Sequence, residues 1–268
     1  CVSENGEYQA INPLEQSGLV GLWSMDNDWV DSSDNEYDGI ASGAVFTEEA
    51  AFGTHAGNFD GVDDSVNIGN DVGLDSVFAS QEHSISVWIY AKEKKDWAAL
   101  LEKSSSNSFT GQSVFLGHDT DGLRYIVRGD QYSEILYDIS LNEWHHVVAT
   151  SNGSEIELFV DGISRGTAAS SGSITPNSSP VVIGGWQEQS DYFNGYIDDL
   201  ALFDHALTAE EVSQIYLVHR GMHVGTEDST LKFAVEDLEL STDISAWKSD
   251  EWHDVSASYG YGKASLAV

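Results

Sequence analysis

Two adjacent carboxylates, Asp198 and Asp199, interrupt an apolar run, Tyr196–Phe203, in which Ile197, Leu200 and Leu202 supply apolar faces. A surface strand tolerates such a pair. A strand buried on one face needs a reason to carry it, and a bound cation is one. Calcium takes about six to eight oxygen ligands from carboxylates, backbone carbonyls and water. Further carboxylates stand early in the chain, where Asp26, Asp28, Asp31, Asp34 and Asp38 fill an Asn/Ser-rich loop. The expected structural calcium site therefore draws on Asp26, Asp28, Asp31, Asp38, Asp198 and Asp199, with backbone carbonyls completing the shell. The plain alternative for the early residues is a solvated acidic loop. Asp60, Asp63 and Asp64 form a secondary candidate, because Asp60-Gly61 also makes an ordinary turn.

Aromatic residues in loops offer a second kind of chemistry. Trp186, Tyr192 and Phe193 share one Gly- and Gln-containing loop and Trp97 stands on another, so all four are candidate sugar platforms. Their faces would stack on sugar C–H groups while nearby Asn, Gln and Asp bond hydroxyls. Loop aromatics can equally be packed away. Trp144 and Trp252 read as core anchors. His145 and His146 begin a strand and point to opposite faces, so they read as partnered structural histidines rather than one metal site.

Composition narrows the partners. Forty-five acidic residues against 11 basic ones give a net charge of −34 over 268 residues. Such a surface repels phosphate backbones and anionic headgroups, which argues against nucleic acid and direct electrostatic membrane binding. No run approaches the length of a transmembrane helix. The single cysteine is Cys1, so no disulfide forms within the chain. Cys1 followed by a polar Ser3-Glu4-Asn5-Gly6 tail looks like a mature bacterial lipoprotein, lipidated at that cysteine and anchored without a membrane-binding surface on the fold. The alternative is a fragment boundary that happens to fall at a cysteine.

The elements that must position these groups are short strands. Residues 1–17 are polar and unpatterned, and read as a tether. Leu19-Val20 and Leu22-Trp23 make a first strand, followed by Ala44–Phe46, Ala56–Phe59 and Ser65–Ile68. Asp71–Ala79 has a helix-like look but reads as a loop or a short turn. Ser84–Tyr90 alternates, with Ile85, Val87 and Ile89 on one face and Trp88 and Tyr90 on the other. Trp144–Thr150 and Ile156–Val160 straddle a Ser-Asn-Gly-Ser turn, a hairpin signal. Thr208-Ala-Glu-Glu211 has capping-box spacing, which predicts a short helix from about Ala209 to Leu217. Many strands with no βαβ alternation give an all-β, two-sheet antiparallel sandwich with a short C-terminal helix after its last strand.

The pieces LWSMDND, FDGVDDSVNIG, ISVWIYA, NEWHHVVAT, ELFVDG and GYIDDLALFDHALTAEEV stand, in that order, as in a laminin-G-like, concanavalin-type jelly roll. The chain resembles that family over about residues 18–217. The resemblance implies a recognition module of secreted or cell-surface proteins, binding glycans or other proteins and often holding structural calcium. Glycoside hydrolases of the same architecture place their acids as Glu-x-Asp-x-x-Glu on one strand, aimed into one cleft. Glu155 and Glu157 are instead a lone pair on a hairpin, and Glu236, Asp237 and Glu239 are misspaced, so no catalytic residue is expected.

Residues 231–268 overlay 123–160 without a gap, pairing Glu143-Trp144-His145 with Glu251-Trp252-His253. Residues 218–268 thus read as a linker and a partial second laminin-G-like unit, with unpaired strand edges. The sequence supports a non-catalytic recognition or adhesion module, extracellular or at the cell surface, binding glycan or an extracellular protein. Its alternative is a structural subunit that self-associates through residues 219–268 by strand addition and builds a filament or layer. A third reading is a substrate-targeting domain of a larger enzyme.

Overall fold

The computed structural model describes residues 18–104, 113–129, 131–170, 179–185 and 192–219, together with the backbone of five strands within 223–267. Cys1, the tether, Trp186 and Trp252 lie outside the described residues. The chain divides into two compact units, Ser17–Val212 and a unit combining Cys1–Gln16 with Ser213–Val268.

In chain order the elements are β1 (Leu19–Trp23), β2 (Ile40–Ser42), β3 (Val45–Thr47), β4 (Ala56–Asp60), β5 (Ser65–Asn67), α1 (Val72–Ser80), β6 (Glu82–Ala91), β7 (Ala98–Ser104), β8 (Ser113–Asp119), β9 (Gly122–Arg128), β10 (Tyr132–Tyr137), β11 (Trp144–Asn152), β12 (Glu155–Val160), β13 (Ile163–Ala169), β14 (Val181–Ile183), β15 (Asn194–Phe203) and α2 (Ala209–His219). They form two antiparallel sheets. The first runs β13-β12-β11-β6-β15-β4-β3, with β1 also paired to β15; the second runs β10-β9-β8-β7-β14-β5-β2. The opening and closing strands therefore meet, Leu22 opposite Ala201 and Trp23 opposite Leu200.

Side-chain alternation decides what lies between the sheets. Ile85, Val87 and Ile89 of β6 point inward with Val147 and Ala149 of β11, Ile197 of β15 and, from the second sheet, Leu101, Leu116 and Tyr125. Trp88 and Tyr90 point to the other face, as the alternation requires. Trp88 is nevertheless buried, because Phe52 from the loop after β3 packs edge-on against it, ring centroids 5.1 Å apart. Tyr125 is wholly buried, and its hydroxyl meets His83 Nε2 at 3.0 Å.

Segment 71–79, which reads as a loop or a short turn, is instead a nine-residue helix. The Asp71 side chain accepts a hydrogen bond from the Gly73 N–H and caps α1, whose Leu74, Val77 and Phe78 are buried at helical spacing. The capping box also forms. Glu211 Oε2 accepts from the Thr208 N–H at 2.7 Å, and Thr208 Oγ1 accepts from the Glu211 N–H at 3.3 Å. The sandwich anchors the start of this turn through Ser84, whose hydroxyl donates to the His205 carbonyl and accepts from the Leu207 N–H.

The second unit holds a three-stranded sheet of β16 (His223–Glu227), β17 (Thr230–Val235) and β18 (Leu238–Asp243), and a hairpin of β19 (Ser256–Gly260) and β20 (Lys263–Ala267). In that hairpin Ala257 stands opposite Leu266, just as Ala149 stands opposite Leu158 between β11 and β12. The gapless overlay matches those same residues.

Candidate functional site

Asp198 and Asp199 lie on β15, at the place where its pairing with β6 slips. Asp198 is opposite Trp88, and the regular register resumes only with Ala201 opposite Ser86. The bulge puts Asp199 at φ 43°, a left-handed conformation rare for a residue with a side chain. Asp198 is fully buried. Its Oδ2 accepts from the N–H groups of Ala51 (2.8 Å) and Phe52 (3.1 Å), and its Oδ1 accepts from the Asp199 N–H (3.0 Å). One role of the paired aspartates is thus to pin the 48–55 loop that lays Phe52 on Trp88, a role not visible in the sequence.

Asp26 approaches the same loop from the end of β1. Its Oδ1 accepts from the Thr54 N–H, the Thr54 hydroxyl (3.1 Å) and the His55 N–H (3.0 Å). A Cβ at Gly53 would stand 2.3 Å from Asp26 Oδ2, so only glycine fits there. Partial burial works against ionising Asp26, but the Thr54 and His55 hydrogen bonds win and hold its pKa below the ordinary carboxylate value. The other two go the opposite way. Burial, then the negative charge of Asp199, push Asp198 up to about 8 despite its three backbone donors. Burial, then the charge of Asp26, push Asp199 up to about 7. Repulsion runs from Asp26 to Asp199 and from Asp199 to Asp198, so ionising all three is costly unless a cation joins them, although, unlike Asp60, Asp63 and Asp64, they do not each bring a ligand atom within 4.8 Å of the others. The donor set is all oxygen and hard, which suits calcium or magnesium rather than a softer metal.

The other early aspartates are engaged within their own loop. Asp31 organises its own loop. Its Oδ1 accepts from the Leu22 and Ser33 N–H groups, and its Oδ2 from the Ser33 hydroxyl and the Tyr37 N–H, all at 2.8–2.9 Å. Asp38 accepts from the Asp31 N–H at 3.0 Å, and Asp28 closes a turn onto the Val30 N–H at 3.1 Å. Among the described residues, Asp60, Asp63 and Asp64 are the carboxylate trio whose ligand atoms all lie within 4.8 Å of one another. Asp64 is buried, which raises its pKa, although its Oδ2 accepts from the Asp60 N–H. Asp60 Oδ1 meanwhile bonds the Val62 N–H at 2.7 Å.

The loop aromatics divide. Phe193 is 1% exposed and packs in the sandwich interior, so it offers no face to a ligand; its place one residue before β15 turns it inward. Tyr192 is half-buried, bridged to Ala99 and lying over Gly185, where a Cβ would meet its ring at 2.4 Å. Trp97 is half-buried at φ 55°, with Phe115 at its edge and the Arg124 guanidinium 4.4 Å over its ring. Trp186 lies outside the described residues.

A different aromatic group faces away from the sandwich interior. Trp144, Tyr90 and Tyr196 are cross-strand neighbours in one row over β11, β6 and β15. Their ring centroids are 5.2–6.2 Å apart, and all three are half-buried. Trp144 is therefore not the core anchor its strand suggested. Lys92 places its ammonium 3.8 Å over the Tyr196 ring and within 3.5 Å of the Asn58 amide oxygen. The next row inward, His146–Trp88–Asp198, is buried and joins this surface to the carboxylate centre. Alternation in Ser84–Tyr90 signals Tyr90, but no local pattern tells which residues of β11 and β15 stand beside it. His145 and His146 are partnered: His145 bridges Asp161 and Ser140, and His146 Nε2 meets the Ser86 hydroxyl at 2.9 Å.

A sequence profile of the laminin-G type, described as the concanavalin A-like lectin/glucanases superfamily, matches residues 60–213. The chain belongs to this superfamily. No curated protein sequence matches it. Solved structures with the same fold include domain 4 of a GH43 extracellular arabinanase from Geobacillus stearothermophilus, in complex with arabinotriose. That domain has 15% identity and a TM-score of 0.62, covering 74% of this chain and 98% of its own. The binding domain of Paraclostridial Mosquitocidal Protein 1 has 15% identity and a TM-score of 0.62, over 77% of this chain and 53% of its own. Trypanosoma rangeli sialidase, in complex with the inhibitor DANA, has 18% identity and a TM-score of 0.57, over 76% of this chain and 33% of its own. At such identities the likeness is one of fold, and a concanavalin-like sandwich hosts both binding domains and parts of enzymes. Among the described residues no helix is long and apolar enough to cross a membrane.

Proposed function

We propose that this concanavalin-like sandwich is a non-catalytic recognition or adhesion module, extracellular or at the cell surface, that binds glycan or protein and is braced by a structural calcium ion. The observation that carries the reading is the row Trp144–Tyr90–Tyr196. Three aromatic rings from three adjacent strands stand on the face turned away from the core, with Lys92 beside them. Rings so placed offer apolar area for sugar C–H faces or for a partner's side chains. The arabinotriose complex of the structurally similar arabinanase domain supports the glycan arm. Asp26, Asp198 and Asp199 are the proposed ligands of the cation, which would supply positive charge between them and fix the 48–55 loop under the row. Asp60, Asp63 and Asp64 are the competing seat.

The test is binding of the full chain to a glycan array and to extracellular protein extracts, with Trp144→Ala as the variant. Retention of the wild-type melting temperature within a few degrees and loss of binding by at least tenfold are expected. Undiminished binding by this variant contradicts the reading.

A second reading, self-association through the C-terminal unit, draws on the shared register of β19–β20 and β11–β12. A lone two-stranded hairpin is marginal in water and gains by adding to another sheet. Under this reading, light scattering finds oligomers of the full chain that vanish when residues 219–268 are removed; a monomer at all concentrations rejects it.

A further inference from the structure

At the β2–β5 edge of the second sheet, away from the aromatic row, a cleft of about 720 Å³ opens between residues 35–40 and residues 67–71, with Pro180 at its end. Small-molecule sites occupy roughly 300–1,000 Å³. We propose that this cleft is a binding subsite for a neutral sugar residue. The inference rests on the glycan arm of the proposed function and adds a site and a ligand class to it.

Both walls are preformed. On one side, Asp31 receives the Tyr37 N–H and donates its own N–H to Asp38, Gly39 N–H bonds the Trp29 carbonyl at 2.7 Å, and Trp23 Nε1 bonds the Tyr37 carbonyl at 2.9 Å. On the other, the Asn67 side chain turns the chain by accepting from the Gly69 N–H. The Ile68 and Val181 N–H groups tie that turn to the neighbouring strand, and Asp71 caps α1. A cleft whose walls are fixed in the free protein loses little freedom on binding.

The lining suits a polyol. Tyr37 and the 75%-exposed Ile40 give apolar surface for the C–H side of a ring. Asn35, whose Nδ2 also donates to the Val20 carbonyl at 3.0 Å, and Asn70 bring amides, and Asp38 and Asp71 bring carboxylates, each with one oxygen already oriented by a backbone N–H. Burial, then the negative charges of Asp71 and Asp31 and a hydrogen bond to Asp71, raise the pKa of the Tyr37 phenol and keep it protonated, and Gly73 leaves its hydroxyl room: a Cβ there would stand 2.1 Å away. Hydroxyl groups match such a mixed set, since each donates to a carboxylate or accepts from an amide. A metal ion would use only the acceptors. Among the described residues no lysine, arginine or histidine lines the cleft, while Glu36 adds a third carboxylate, so uronic acids, sialic acids and phosphorylated or sulfated sugars are repelled.

The experiment titrates the full chain by calorimetry with arabinotriose, cellotriose and maltotriose, with trigalacturonate as the acidic comparator and penta-lysine as a cationic peptide. Tyr37→Phe removes the hydroxyl alone, and Ile40→Ala alters an exposed rim residue that folding does not need. Ile163→Ser, exposed on the opposite edge strand β13, is the control. The proposal expects at least one neutral trisaccharide to bind, at least fivefold weakening in both cleft variants, none in the control, and no heat with trigalacturonate. Wild-type affinity in both cleft variants, with binding lost in Trp144→Ala, overturns the cleft and leaves the proposed function standing. Binding of no neutral sugar overturns the cleft and the glycan arm together. Preferential binding of trigalacturonate, or of penta-lysine in competition with the sugar, overturns the assignment to a neutral sugar.

Discussion

Asp31 and Asp198 are the same residue type, both almost wholly excluded from water, at 5% and 0% exposure. Asp31 sits in the loop after β1, where four donors converge on its two oxygens. Asp198 sits mid-strand, with three backbone donors but with Asp199 next to it, and it is pushed up to about 8. The difference lies in the neighbours. Hydrogen bonds alone hold Asp31, whereas a fully buried carboxylate beside a half-buried one needs an added positive charge or a shared proton. The first holds its loop by hydrogen bonds alone; the second is where the proposed cation would sit.

The largest expected effect comes from Asp31→Ala, which leaves the Leu22, Ser33 and Tyr37 donors without their acceptor. Losses of about 3 kcal/mol follow from charge-assisted bonds of this kind, or roughly 6–12 °C in Tm for a domain of this size. Thermal unfolding with and without calcium should show the same loss in both; a loss confined to the calcium sample would make Asp31 a ligand after all. Asp198→Asn is expected to cost about 2 kcal/mol, because an amide –NH₂ must face either the Ala51 and Phe52 N–H groups or that of Asp199. Urea denaturation measures it, and an Asn variant as stable as wild type would mean that the carboxylate does not pin the 48–55 loop.

Much of the sandwich was legible from local pattern. Ile85, Val87 and Ile89 show their inward face by alternation, the Thr208–Glu211 spacing marks the start of α2, and the order of the family motifs points to the jelly roll. The site was less legible, for physical reasons that can be named. The bulge at Asp199 has a positive φ without the glycine or asparagine that usually announces one. The acidic loop looks uniform in sequence, yet Asp31 turns inward to collect donors two to nine residues away, while Asp26 reaches donors on Thr54 and His55, 28 and 29 residues further on. Phe193 reads as a loop residue but enters the core. The Trp144–Tyr90–Tyr196 row exists only through registers between strands separated by more than fifty residues, which no local periodicity encodes.

The proposed cation at Asp26, Asp198 and Asp199 should show itself in the pH dependence of Tm with EDTA and with calcium. Both Asp198 and Asp199 have pKa values raised by folding, to about 8 and about 7 against an ordinary 3.8. The folded state therefore holds more protons than the unfolded one between those limits, and without a cation stability falls as pH rises from about 4 to about 8. In EDTA, Tm should decline across that window. Calcium should raise Tm most at the alkaline end and flatten the curve, and Asp199→Asn should remove that response while Asp63→Asn keeps it. An EDTA curve identical to the calcium curve at every pH, or a calcium response lost in Asp63→Asn and kept in Asp199→Asn, would contradict the account.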